Sequence, residues 1–72
     1  MTNVLTLKRW RPGIQVVSLI QLVRVHSGLS LTESKVSVER LLAGSPVTLS
    51  FPSPSALSEF RVSAEQLGVE TE

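Results

Sequence analysis

His26 is the single histidine of a chain with no cysteine and no aspartate, so its only acidic company is six glutamates. An imidazole backed by a carboxylate can activate a serine hydroxyl, and imidazole with carboxylates can hold a divalent metal. Neither arrangement is written into this sequence. The glutamates stand away from position 26, and the eleven serines are scattered over expected helices and loops without a nucleophile motif. No glycine-rich phosphate loop occurs, because Gly28 lacks the lysine that would complete one. With thiolate ligands and disulfides excluded as well, the chain reads as non-enzymatic, with no catalytic residue, metal or cofactor. His26 reads as an ordinary helix-end residue.

A different chemistry is electrostatic. Lys8, Arg9, Trp10 and Arg11 put three cations around one aromatic ring, the kind of run that can hold phosphate or stack a base of single-stranded nucleic acid. Such a run also closes many β-strands, with the tryptophan covering the edge of the core, and one ring with three cations is a small platform. The wider charge pattern is uneven. Residues 1–26 carry Lys8, Arg9, Arg11 and Arg24 with no acid, and the rest carries Lys35, Arg40 and Arg61 against all six glutamates. A gradient of this kind gives one end a positive field that can steer an acidic partner.

These groups must be positioned by a small scaffold. At 72 residues the chain is a single domain, 1–72, and such a domain buries only about 60% of the surface its unfolded form exposes. Its 42% hydrophobic and 18% charged residues are those of a globular chain. The first residues, "MTNVLTLKRW", have no basic start followed by an apolar core, and the run from Ile14 to Val25 is broken by Gln15, Ser18, Gln21 and Arg24 and too short to span a bilayer. A cytoplasmic protein without a membrane partner is the expectation.

"VLTLKRW" suits a pleated strand, and Arg11-Pro12-Gly13 supplies the turn that ends it. The next thirteen residues, "IQVVSLIQLVRVH", are rich in β-branched side chains but long for a strand. Val16, Leu19, Ile20 and Val23 fit the i, i+3, i+4, i+7 template, which predicts a helix with those four facing the core. Ile14, Val17, Leu22 and Val25 fall outside that stripe. The helix is therefore apolar on more of its surface than one core contact requires, and the surplus fits burial under a neighbouring element, a partner protein, or a second copy of this chain through Val17, Leu22 and Val25.

Gly28 stands where that helix must end, and glycine adopts positive φ without the steric cost of a Cβ. Ser30-Leu31-Thr32-Glu33 then fits a capping box, in which the serine accepts the N–H of Glu33 and Glu33 reaches back to the N–H of Ser30. The result is an αα-hairpin with a very short link. The second helix is expected from Leu31 to Ala43, with Leu31, Val38, Leu41 and Leu42 inward and Gly44 and Pro46 as its stop. Alternation in "VTLSF" predicts a half-buried strand. Ser53 before Pro54 opens a third helix with Ala56, Leu57, Phe60, Ala64 and Leu67 on one face, ended by Gly68. "VETE" makes a short last strand. The fold class is α/β in the α+β sense, with the order β-α-α-β-α-β.

The hairpin "LIQLVRVHSGLSLTESKVSVE" resembles the C-terminal domain of the bacterial large-subunit ribosomal stalk protein. Ile20, Val23, Arg24, Gly28, Leu29, Leu31, Glu33, Lys35, Val38 and Glu39 match that family's pattern in register, Ser34 stands at a small position usually held by alanine, and Gly68-Val69-Glu70 follows the family ending. The resemblance implies three helices on one face of a three-stranded antiparallel sheet. It also implies a hairpin surface that recruits translational GTPases, made here by Val17, Leu19, Ile20, Arg24, Gly28, Leu29, Leu31, Glu33 and Lys35. Val16, Gln21 and Thr32 stand where the family usually has lysine, which implies a contact slower to form. The segment by which stalk proteins dimerise and anchor to the ribosome has no counterpart here, so the expectation is a stalk-like domain. An adaptor of the Clp protease shares the fold, and "RPGIQVVSLIQLVRV" is similar to it, but Lys8-Arg9-Trp10-Arg11 replaces its acidic stretch. The functions these residues admit are therefore three: recruitment of a GTPase, delivery to a Clp-type ATPase, and nucleic-acid binding through the Lys8–Arg11 cluster.

Overall fold

Leu5 and Leu7 project from the same side of the first strand, and that side carries the core. The computed structural model describes residues 3–71. Its elements are β1 (Val4–Trp10), α1 (Val16–Ser27), α2 (Leu31–Leu42), β2 (Val47–Ser50), α3 (Pro54–Leu67) and β3 (Val69–Thr71). This is the expected order, and Glu72, the last residue of the expected final strand, lies outside the described residues.

The sheet runs β2-β1-β3, with β1 central and antiparallel to both neighbours. Leu5 faces Leu49 and Leu7 faces Val47, and all four are buried together with Val69. The other side of the sheet is open and polar, and on it the hydroxyls of Thr6 and Thr48 lie 3.0 Å apart. One covered and one open face is the usual solution for an antiparallel sheet. All three helices pack over the covered face around Leu19, Val23, Val38, Leu41, Phe60 and Ala64, each fully buried. Phe60 anchors this layer, with its ring 5.1 Å from that of Phe51.

Helix α1 starts two residues later than its apolar run. The N–H of Ile14 bonds to the carbonyl of Arg11, and that of Gln15 to the carbonyl of Leu67. Both groups are engaged by the preceding turn and the end of α3. The stripe is also narrower than expected: Leu19 and Val23 form its buried centre, and Val16 and Ile20 are half-buried at the core's margin. In α2 the inward positions are Ser34, Val38 and Leu41. Leu31, expected inward, is 46% exposed, because the buried side of α2 is centred on Ser34, Val38 and Leu41, roughly 50° around the helix from Leu31.

Helix α2 stops as expected. Gly44, at φ 95°, gives its N–H to Leu41, and the N–H of Ser45 bonds to Arg40, which satisfies carbonyls left over at the helix end. Helix α3 is capped by Ser53, whose Oγ accepts the N–H of Ala56 at 3.1 Å. Among the described residues, no helix is long and apolar enough to cross a membrane.

Candidate functional site

The hairpin is built from its two ends inward. At the end of α1, the Ser27 hydroxyl donates to the Val23 carbonyl and Nδ1 of His26 donates to the Leu22 carbonyl at 3.2 Å. The carbonyls of Leu22 and Val23, one turn before the end of α1, thus carry side-chain partners beside the chain reversal. Gly28 follows at φ 75°, ψ 11°, in the left-handed region that favours glycine. A Cβ there would meet nothing within 4 Å, so the loop stands open to solvent.

At the start of α2, Ser30 Oγ accepts the backbone N–H of Glu33 at 3.1 Å. The return half of the expected capping box differs. The Glu33 carboxylate accepts the Ser30 hydroxyl proton at 3.0 Å and not the Ser30 N–H. A carboxylate is the strongest acceptor within reach of that hydroxyl, which explains the choice.

The nine residues expected on the partner surface do not share one face. Leu19 is fully buried in the core, so no partner reaches it, and it does not belong to the surface. Val17 is 75% exposed, Arg24 is exposed on the same side of α1, and Ile20 is half-buried beside them. On α2, Leu31 and Lys35 are exposed one turn apart. Glu33 and Leu29 line a separate cleft between α2 and β2, with Glu33 roughly 200° around the helix from both Leu31 and Lys35. The surface available to a hairpin partner is therefore Val17, Ile20, Arg24, Gly28, Leu31 and Lys35. Neither Arg24 nor Lys35 enters an ion pair among the described residues.

Val25, 73% exposed, extends the apolar strip of α1 in the other direction. It lines a shallow depression with Val17, Ser18, Gln21, Leu22 and His26 that opens toward α3. There His26 Nε2 lies 3.8 Å from Glu59, and its ring meets Phe60 edge-on at 6.2 Å. His26 is thus a wedge between α1 and α3. Among the described residues, no three His, Cys, Asp or Glu side chains come together.

Strand β1 is irregular between Leu7 and Arg9, at the start of the basic cluster. Beyond it, Arg9 pairs with Glu70 and Trp10 with Val69, and adjacent residues of a strand project to opposite faces. Trp10 therefore lies over the edge of the covered face, 40% exposed beside buried Val69. Arg9 is on the open face, 3.9 Å from Glu70. The guanidinium of Arg11 donates to the carbonyl of Glu65, and its N–H bonds to Gly68, tying the strand's exit to the end of α3. Alternation parts Arg9 from Trp10 in any strand, but unbroken alternation from Leu5 and Leu7 would turn Arg9 inward, and the irregularity before Arg9 turns Trp10 inward in its place.

No family model, no curated protein and no solved structure matches this chain.

Proposed function

We propose that this chain is a non-catalytic protein-binding module that recruits a partner through the hairpin of α1 and α2. The observation that carries the reading is the exposure of Val17 and Val25 on a helix whose buried stripe is already complete with Leu19 and Val23. Exposed apolar groups flanked by Arg24 and Lys35 combine the two ingredients of a recruitment surface, an anchor that is desolvated on contact and charge that steers the encounter. The resemblance to the ribosomal stalk domain supports a translational GTPase as the partner class, and with it a cytoplasmic setting, where translation takes place. The three positions without the family's lysines, Val16, Gln21 and Thr32, imply a complex that is slower to form and weaker.

The test is an NMR titration of isotope-labelled protein with a purified translational GTPase. Shifts confined to Val17, Ile20, Arg24, Val25, Gly28, Leu31 and Lys35, weakening as salt is raised, are the expected result. An unchanged spectrum at high GTPase concentration would remove the GTPase from the reading. A parallel titration with the N-terminal domain of a Clp ATPase separates the adaptor alternative. A third, with single-stranded oligonucleotide, reads the Lys8–Arg11 cluster directly.

A further inference from the structure

We propose that a second copy of this chain pairs with the free edge of β2, forming a two-fold dimer with one continuous six-stranded sheet. β2 is an edge strand, since the sheet order is β2-β1-β3. The Phe51 N–H bonds to Asn3 O at 2.8 Å, which fixes the alternation of the ladder: Leu49 and Val47 spend their backbone groups on Leu5 and Leu7. Thr48 and Ser50, opposite Thr6 and Val4, direct their N–H and C=O groups to the outer edge. In an antiparallel pair centred on Leu49, Thr48 of each copy faces Ser50 of the other, and the two exchange four hydrogen bonds. The next outward positions, Pro46 and Pro52, have no N–H to give. The ladder ends there, and the assembly closes as a pair.

What selects a second copy as the occupant is charge. An open cleft of about 450 Å³ lies above this edge, lined by Glu33, Val36 and Arg40 from α2 and by Thr48, Leu49 and Ser50 from β2. Glu33 and Arg40 are seven residues apart on one flank of α2, about 10 Å along its axis, with exposed Val36 between them. A two-fold axis perpendicular to the sheet keeps all helices on one face and sets the two α2 helices antiparallel across the junction. Glu33 of each copy then meets Arg40 of the other, and Val36 meets its counterpart near the axis. This is the self-complementarity an isologous interface requires. Leu31 and Lys35, on the other flank of α2, stay open, so the dimer and the hairpin contact are independent readings.

Sedimentation equilibrium from micromolar to millimolar concentration tests the proposal. The unaltered chain is expected to approach the mass of two copies, with a weak constant as befits a small interface. Glu33→Lys alone and Arg40→Glu alone place like charges at both contacts and are expected to weaken the dimer by roughly tenfold or more. An equimolar mixture of the two variants restores both charge pairs and is expected to dimerise as the unaltered chain does. Glu33 also serves the cap of α2, so a second readout uses no substitution. Amide hydrogen exchange at Thr48 and Ser50 is expected to slow as concentration rises, while Leu49, already bonded to Leu5, stays protected throughout. A monomer at every concentration overturns the proposal and leaves the edge for a strand of a different protein. A dimer indifferent to both variants, or a mixture no tighter than its components, overturns it as well.

Discussion

The Ser30 hydroxyl takes the backbone N–H of Glu33 at 3.1 Å and gives its own proton to the Glu33 carboxylate at 3.0 Å. One three-residue step thus ends the link and begins α2. Ser30→Ala removes both bonds and is expected to lower stability by about 1 kcal/mol. Glu33→Gln retains an acceptor for the hydroxyl and loses only the charge at the helix N-terminus, a cost of about 0.5 kcal/mol. Urea denaturation with unchanged m-values checks both, and equal losses would mean that the carboxylate, not the cap, holds the turn.

Two glycines separate conformational cost from steric cost. Gly28 lies at φ 75° with open space where an added methyl would stand, whereas a Cβ on Gly68, at φ 107°, would stand 3.0 Å from Cα of Ile14. Gly28→Ala is expected to cost about 1 kcal/mol for the left-handed backbone alone. Gly68→Ala adds a clash with main chain that cannot turn aside, for roughly 3 kcal/mol. Thermal melts of the two variants should keep that order.

Ser34 is fully buried, and its Oγ has no hydrogen-bond partner among the described residues. A buried hydroxyl without a partner costs about 1–3 kcal/mol of desolvation, and alanine is the better helix former. Ser34→Ala is therefore expected to stabilise the fold by about 1 kcal/mol. A loss of stability would show that the hydroxyl is satisfied in solution, for instance by bonding back to the carbonyl one turn earlier.

Val17→Ser and Val25→Ser change side chains that are mostly in water, so stability should move by no more than about 0.5 kcal/mol. Affinity for the hairpin partner is expected to fall with both. Leu19→Ala, at a position close to Val17 in the same helix, should cost about 2–5 kcal/mol because its side chain is fully in the core. Calorimetry on the three variants, with and without partner, separates a contact residue from a scaffold residue.

Arg24→Glu combined with Lys35→Glu is expected to slow association with an acidic partner and to flatten its salt dependence, leaving dissociation nearly unchanged. Stopped-flow measurements at two ionic strengths read both rates. A change confined to dissociation would mean these cations sit inside the contact and not at its rim.

Much of the architecture is legible in the sequence because it is written in local rules. Gly28, Gly44 and Gly68 stop helices by backbone freedom, Ser30 and Ser53 start them by capping, and alternation in "VTLSF" marks a strand; each acts over a few residues and needs no knowledge of the rest of the chain. Periodicity, by contrast, assigns a residue to a face without saying whether that face is covered at that point. Leu31 fits the apolar pattern of α2, yet it is exposed and Ser34 is buried, because which side of a helix is covered is a property of the assembled layers. The candidate site divides in the same way. Local rules pick out Gly28 and the resemblance adds Arg24 and Lys35, whereas the placing of Glu33 on the opposite flank of α2 from Lys35 becomes significant only once β2 lies beside it.

The sequence by itself determined six elements, their order and the tight hairpin, since helix caps, turn glycines and apolar periods are short-range and energetically decisive where they occur. Tertiary structure alone decided which of the apolar side chains of α1 are core and which are surface, how a bulge in β1 turns Trp10 and not Arg9 toward the covered face, and that the edge of β2 and one flank of α2 share a cleft. The physical reason is that burial and strand pairing depend on contacts between segments distant in sequence, and a residue pattern specifies which faces must be covered without specifying what covers them.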